Sequence, residues 1–193
     1  KKDLSQFSDR EIHVIYNPVR DVYYDESIKK ENLFLFVGRA NDPNKRFSLI
    51  KESLSKIQDG EKKITVCGPE NPGFGNYLGY VSNKKLNELY NSTKYLLLPS
   101  KYEGIGLPMI EGMICGTLPI TCNDNETAKE FLPIDFMCEP KSDSILNYIK
   151  KLDTNYKIKQ EMVLKLGEKY KEQFNKTSIA KNILNILKWF MFL

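Results

Sequence analysis

Histidine and tryptophan occur once each in this 193-residue chain, and its four cysteines, Cys67, Cys115, Cys122 and Cys138, form no Cys-x-x-Cys pair. That set supports neither a zinc site nor a disulfide framework, and three of the four fall in apolar stretches; they are expected to be reduced core thiols of a cytosolic protein. No Asp-x-Asp motif is present, so no acidic metal-binding pair is expected. No apolar run approaches the ~20 residues of a membrane-spanning helix, and no signal-peptide pattern opens the chain. Charge of one sign is also missing: Lys plus Arg number 29 against 25 for Asp plus Glu, a formal net charge of +4. The small excess is scattered, with no clustered cations interleaved with aromatics, which argues against a nucleic-acid surface. Internal repeats and low-complexity segments are absent. An initiating methionine is missing too, and the expectation is that upstream residues were removed or form another domain.

What remains is a chain long enough for one core, with 41% hydrophobic residues. Short apolar runs rich in β-branched and aromatic residues alternate with helical periodicity, the pattern of βαβ units. "NLFLFVG" (32–38), "KITVCGPE", "YLGYVS", "KYLLLPS", "TLPITC" and "DFMCEP" read as six strands. Phe47, Ile50, Leu54 and Ile57 mark the first helix, ended by Asp59-Gly60. Ser82 is a plausible cap for a helix carrying Leu86, Leu89 and Tyr90, and a further helix should run from about Pro108 to Cys115, stopped by Gly116. Two or three helices close the chain. The expected fold is α/β: a doubly wound, mostly parallel six-stranded sheet of Rossmann-like form. Residues 1–193 are expected to form one domain.

In such a sheet ligands bind beyond the carboxyl ends of the strands. There the loops "GRANDPNKR", "GPENPGFGN" and "SKYEGIGLP" should meet. Arg39 and Lys45, beside a helix start, suit a multiply charged anion such as a diphosphate. In "GIG" the amides of Ile105, Gly106 and Leu107 can approach an anion, whereas Pro108 has no N–H to give. Glu111, one turn into the helix, could accept hydrogen bonds from ribose hydroxyls, and Glu103 from those of a second sugar. An anion site between two hydroxyl-accepting carboxylates describes a nucleotide-diphosphate sugar.

In order along the chain, "FVGRANDPNK", "VCGPE" and "YLGYVSNKKLNELYNSTKYLLLPSKYEGIGLPMIEGMICGTLPITCN" resemble the nucleotide-sugar-binding half of retaining glycosyltransferases of the GT-B fold. The most specific element is Glu-x7-Glu, Glu103 to Glu111. The resemblance covers roughly residues 12–190 and implies transfer of a hexose from a UDP- or GDP-sugar to a glycan, lipid or protein. It assigns Arg39 and Lys45 to the donor diphosphate, Glu111 to the ribose and Glu103 to the transferred sugar, with Arg39, Lys45 and Glu103 as the catalytic set. Gly38, Gly104, Ile105, Gly106 and Leu107 then lie against the donor, and Gly79, Tyr80 and Val81 lie along the base. It implies no cofactor and no obligatory metal.

Three departures accompany the resemblance. Where the family usually has a helix, between "VCGPE" and "YLGYVS", only a short Gly-rich loop fits, so the base pocket is open or differently walled. Arg46 takes a position where a small residue is common; the alternatives are an added phosphate contact or, the one expected, a side chain facing solvent. The family's N-terminal acceptor-binding domain has no counterpart here, so the chain is expected to be the C-terminal half of a longer enzyme, inactive alone. The resemblance also makes residues 1–20 a connecting strand or linker from that domain and 175–193 a crossover helix; His13 lies in the connecting strand and is expected to be structural. The apolar end carrying Trp189, Phe190 and Phe192 is read as an interdomain contact, with a peripheral membrane contact as the alternative for a cytoplasmic protein. The competing functional reading is a non-catalytic nucleotide-sugar-binding or protein-interaction module; an epimerase fits less well, for want of a Ser-Gly-Gly segment before paired glutamates.

Overall fold

The computed structural model describes residues 12–191, with side chains through residue 188. Six strands form one sheet: β1 (Asn32–Val37), β2 (Ile64–Cys67), β3 (Asn76–Gly79), β4 (Thr93–Leu98), β5 (Leu118–Cys122) and β6 (Met137–Cys138). Their order is β3-β2-β1-β4-β5-β6, and every neighbouring pair is parallel. The three consecutive residues Phe34, Leu35 and Phe36 of β1 are all fully buried, although neighbours along a strand point to opposite faces. Both faces of the sheet are therefore covered, as a parallel sheet requires.

The covering helices are α1 (Phe47–Ser55), α2 (Asn83–Ser92), α3 (Leu107–Ile114), α4 (Glu126–Phe131), α5 (Ser142–Thr154), α6 (Tyr156–Phe174) and α7 (Lys176–Met191). Helix α1 packs with α5, whereas α2, α3 and α6 pack together. Phe47, Ile50 and Leu54 form the buried stripe of α1 as the periodicity predicts, and Ile57 falls just past its end. Ser82 caps α2, its Oγ accepting from Lys85 N at 3.2 Å, and Asn125 caps α4 in the same way through Ala128 N at 3.1 Å. Helix α3 is apolar almost all round, and Met109 to Ile114 are buried without exception, Glu111 included. Its tight crossing with α6 depends on Gly167, where an added Cβ would lie 2.5 Å from the Met113 carbonyl oxygen.

One cation ties the far ends of these helices. Lys30 Nζ donates to Tyr90 O and Cys115 O, each at 2.8 Å, and to Thr117 Oγ1 at 3.2 Å. It thus satisfies carbonyls at the carboxyl ends of α2 and α3, where a positive charge is favoured. Burial nevertheless pushes the Lys30 ammonium down to about 7.

Of the two forms expected for the connecting segment, strand or linker, the described residues take the second. Residues 12–20 form neither helix nor strand. A strand needs a free ladder partner, and this segment lies instead across the ends of α3 and α6: Val19 N donates to Phe174 O at 3.0 Å and Arg20 N to Glu111 Oε1 at 3.2 Å. Tyr16 docks edge-on against Phe131 and Phe174, while Val14 and Ile15 stay exposed. His13 is exposed as well. Among the described residues no helix is long and apolar enough to cross a membrane. Only backbone is described for Trp189 and Phe190, and Phe192 lies outside the described residues, as do the expectations attached to them.

Candidate functional site

The strand order reverses between β1 and β4, and the loops that follow these two strands meet beyond the sheet edge. Asn44 joins them: its carbonyl accepts from Lys101 N at 2.9 Å, its Oδ1 accepts from Tyr102 N at 2.9 Å, and its Nδ2 donates to Tyr102 O at 2.8 Å. Asp42 caps a single 3-10 turn, Pro43–Lys45, and α1 begins only at Phe47, slightly later than the sequence suggests. This stitching brings Lys45 Nζ within 2.6 Å of Glu103 Oε1, both side chains less than a fifth exposed. Thr127 Oγ1 holds the same loop from the other side, donating to Glu103 O at 2.7 Å. Arg39 is more exposed and pairs with Asp42 at 3.1 Å.

The Gly-x-Gly-x-Pro turn follows. Gly106 is the N-cap of α3 with φ 70°, a left-handed conformation that costs glycine nothing. Ile105 is buried beneath the turn, Leu107 is half-buried and Gly104 is exposed. Among the described residues the amides of Ile105, Gly106 and Leu107 find no acceptor, leaving donors at a helix start.

One turn into α3, Glu111 is fully buried and held from three sides. Arg20 N reaches Oε1 at 3.2 Å, Arg20 Nη1 reaches Oε2 at 2.6 Å, and Tyr90 OH donates to Oε2 at 3.1 Å. Burial first, and the adjacent Glu111 charge second, push the Tyr90 phenol well up, so it remains a donor. The sequence brings Glu103 and Glu111 to one edge, but only Glu103 shows surface: side-chain exposure is 19% for Glu103 and 0% for Glu111.

Beside this pair opens a cleft of about 290 Å³. Gly38, Gly68 and Gly79 line it with bare backbone, Val37, Pro69, Val81, Leu86 and Pro108 make it apolar, and Arg20, Arg39, Tyr80 and Asn83 supply its polar rim. Of the residues expected along a base, Gly79, Tyr80 and Val81 are all present, and the Tyr80 ring is 84% exposed at the edge. Between β2 and β3 there is no helix, in agreement with the short loop; Lys51 Nζ pins it by donating to Pro72 O at 2.6 Å. Glu103, Ile105 and Gly106 instead border a second, small cavity, which shares Pro108 with the cleft.

Arg46 does not face solvent. It sits in a left-handed conformation, φ 49°, and grips Asp124 with both nitrogens, at 2.9 and 2.6 Å. A fork of donors meeting a carboxylate is a better use of guanidinium than water, and it binds the start of α1 to the loop after β5. Hydrogen bonding from Arg46 first, and its charge after that, hold Asp124 below the usual carboxylate range. All four cysteines are buried and unbridged. Among the described residues no group of three or more His, Cys, Asp or Glu side chains is arranged to hold a metal ion.

With this geometry in view, comparison with known proteins is decisive for family. The model of the family described as "Glycosyl transferases group 1" matches residues 25–173. The chain belongs to that family. Among relatives of this group 1 glycosyltransferase chain, the O-antigen chain mannosyltransferase RfbU of Salmonella typhimurium is 31% identical over 135 residues, 63% of this chain and 38% of that protein. In structure, sucrose-phosphate synthase from Thermosynechococcus elongatus superposes with a TM-score of 0.77 at 18% identity, over 93% of this chain and 52% of that one. Anabaena HepE in complex with UDP and glucose gives a TM-score of 0.69 at 15% identity, covering 82% and 48% respectively. These structural likenesses establish the GT-B-type fold. The chain spans less than half the length of the curated relatives it matches.

Sequence reasoning missed Arg20, Asn44, Tyr90 and Asp124. Arg20 meets its partner across 91 positions and Asn44 across 58, and no local spacing marks such contacts. Asp124 carried a faint signal, since a bulky cation at position 46 in a turn needs a partner.

Proposed function

We propose that this chain is the donor-binding half of a retaining glycosyltransferase that moves a hexose from a UDP- or GDP-sugar to a glycan, lipid or protein acceptor. The observation that carries the reading is the convergence, at one sheet edge, of a cleft walled by backbone and apolar groups, the Lys45–Glu103 pair, and unpartnered amides at the start of α3. The nucleoside takes the cleft, and the diphosphate lies toward Arg39, Lys45 and the Ile105 to Leu107 amides. Lys45, now neutralised by Glu103, can be shared with the phosphates, which turns Glu103 toward the sugar. In the transfer step the acceptor oxygen bonds to the anomeric carbon on the face from which the diphosphate departs. The carbon–phosphate-oxygen bond breaks, and the leaving oxygen takes the acceptor proton. The chain's part is positioning and charge neutralisation. Arg39 and Lys45 meet the leaving-group charge, Glu103 stabilises positive charge on the sugar, and Glu111 anchors the nucleoside half.

The acceptor is assigned to an N-terminal domain of the same enzyme, as the resemblance implies. Glu103→Ala in the complete natural enzyme is expected to abolish transfer while nucleotide binding by calorimetry stays nearly intact, whereas Glu111→Ala weakens nucleotide binding. Equal losses of binding in both variants would refute this division of roles. A complete enzyme that binds nucleotide-sugar but transfers nothing would favour the non-catalytic module.

A further inference from the structure

Glu111 presents no surface to the cleft, but the residue that covers it, Arg20, does. Its side chain is 41% exposed and borders the cleft, yet its Nη1 is held 2.6 Å from the Glu111 carboxylate. Among the described residues Glu111 is the only hydrogen-bond partner of the Arg20 guanidinium, so Nε and Nη2 keep their donors. The backbone of Arg20 is fixed on the same carboxylate through its N–H, and the residue before it through the Val19 N–H to Phe174 O. A guanidinium tethered at two points with one side left open is preorganised for a ligand.

Position decides which part of a donor it meets. Of the two phosphate-facing groups, Lys45 pairs with Glu103 beside the other, smaller cavity and Arg39 lies on the rim of the cleft, whereas Arg20 shares that cleft with the apolar Val81, Leu86 and Pro69. At about 290 Å³ that cleft is at the small end of ligand sites, roughly 300–1,000 Å³, and suits a nucleoside more than a whole nucleotide-sugar. We propose that Arg20 is a nucleoside-binding residue of the donor site, donating hydrogen bonds to hydroxyl or carbonyl oxygens of the nucleoside while Glu111 holds it from behind. The proposal rests on the donor-site reading above and deepens it: Glu111 fixes the guanidinium that the nucleoside meets.

The test compares UDP and GDP with inorganic pyrophosphate, by calorimetry on the full natural chain. Arg20→Met removes both the tether and the free donors, and Arg20→Lys keeps a cation for Glu111 but loses the fork. Both are expected to weaken the nucleoside diphosphate that the wild type prefers, Arg20→Lys by roughly tenfold and Arg20→Met by more, as befits a lost charge-assisted hydrogen bond. Pyrophosphate binding is expected to change less than about twofold in either, on the scale where tenfold is 1.4 kcal/mol. Should Arg20→Met fail to fold by circular dichroism, Arg20→Lys decides alone. Wild-type affinity for the nucleotide in the folded variants, or equal losses for nucleotide and pyrophosphate, would overturn the assignment. A wild-type chain that binds pyrophosphate but neither UDP nor GDP would overturn the donor-site reading itself.

Discussion

Lys30 is the residue whose ionisation most directly couples the fold to pH. Its ammonium sits near 7 when folded, against 10.5 for an ordinary lysine. Between these values the unfolded chain binds the extra proton, so stability rises with pH, by up to ~1.4 kcal/mol per unit. Below about 7 both states are protonated and this contribution to the slope vanishes. Burial pushes the Cys67 thiol up to about 11 and Cys115 up to about 12, which reverses the trend once unfolded thiols ionise near 9. Urea melts at pH 7.0 and 8.5 are therefore expected to show higher stability at 8.5, and Lys30→Met should flatten that rise. An unchanged rise in the variant would assign it to other groups. None of this was legible in the sequence, where Lys29-Lys30 looks like one of several solvated pairs. Glu103 and Lys45 were legible because each belongs to a short loop whose spacing carries its own signal.

At the scale of elements, the six strands and their order of appearance followed from apolar runs and turn residues, because a strand covered on both faces is a continuous apolar run. The connecting segment has the same local signature and is not a strand. Pairing depends on a free sheet edge, which the local sequence of residues 12–19 cannot announce. Arg46 failed as an expectation for a related reason: its partner comes from the loop after β5, 78 positions away. Two substitutions test these contacts. Arg46→Ala loses the Asp124 pair and keeps the left-handed strain, whereas Arg46→Gly loses the pair and relieves it; the glycine variant should be more stable by about 1 kcal/mol in denaturant melts. Gly167→Ala gains ~0.5–1 kcal/mol of helix preference but sets a Cβ 2.5 Å from a backbone oxygen of α3. Backbone cannot yield as a side-chain tip can, so overpacking, typically ~1–3 kcal/mol, is expected to win and lower the melting midpoint. A Gly167→Ala chain as stable as the wild type would mean that α6 is free to shift.

At the scale of the whole molecule, a group 1 glycosyltransferase domain of this kind is half a machine in the reading proposed here. On that reading it supplies the donor site and leaves the acceptor to another domain. Residues 1–193 alone are therefore expected to bind nucleotide weakly and to transfer no sugar; measurable transfer by this chain would overturn that reading. The central claim is narrower: the cleft between β1, β2 and α2, together with Lys45 next to its Gly38 wall, is a nucleoside diphosphate site. Its most direct test is a calorimetric titration of UDP and GDP into wild-type chain and Lys45→Ala. The account predicts saturable one-to-one binding of at least one of the two, weakened roughly tenfold or more in the variant, as for a lost charge-assisted contact. No binding of either nucleotide to a folded wild-type chain, or equal affinity in the two proteins, would contradict it.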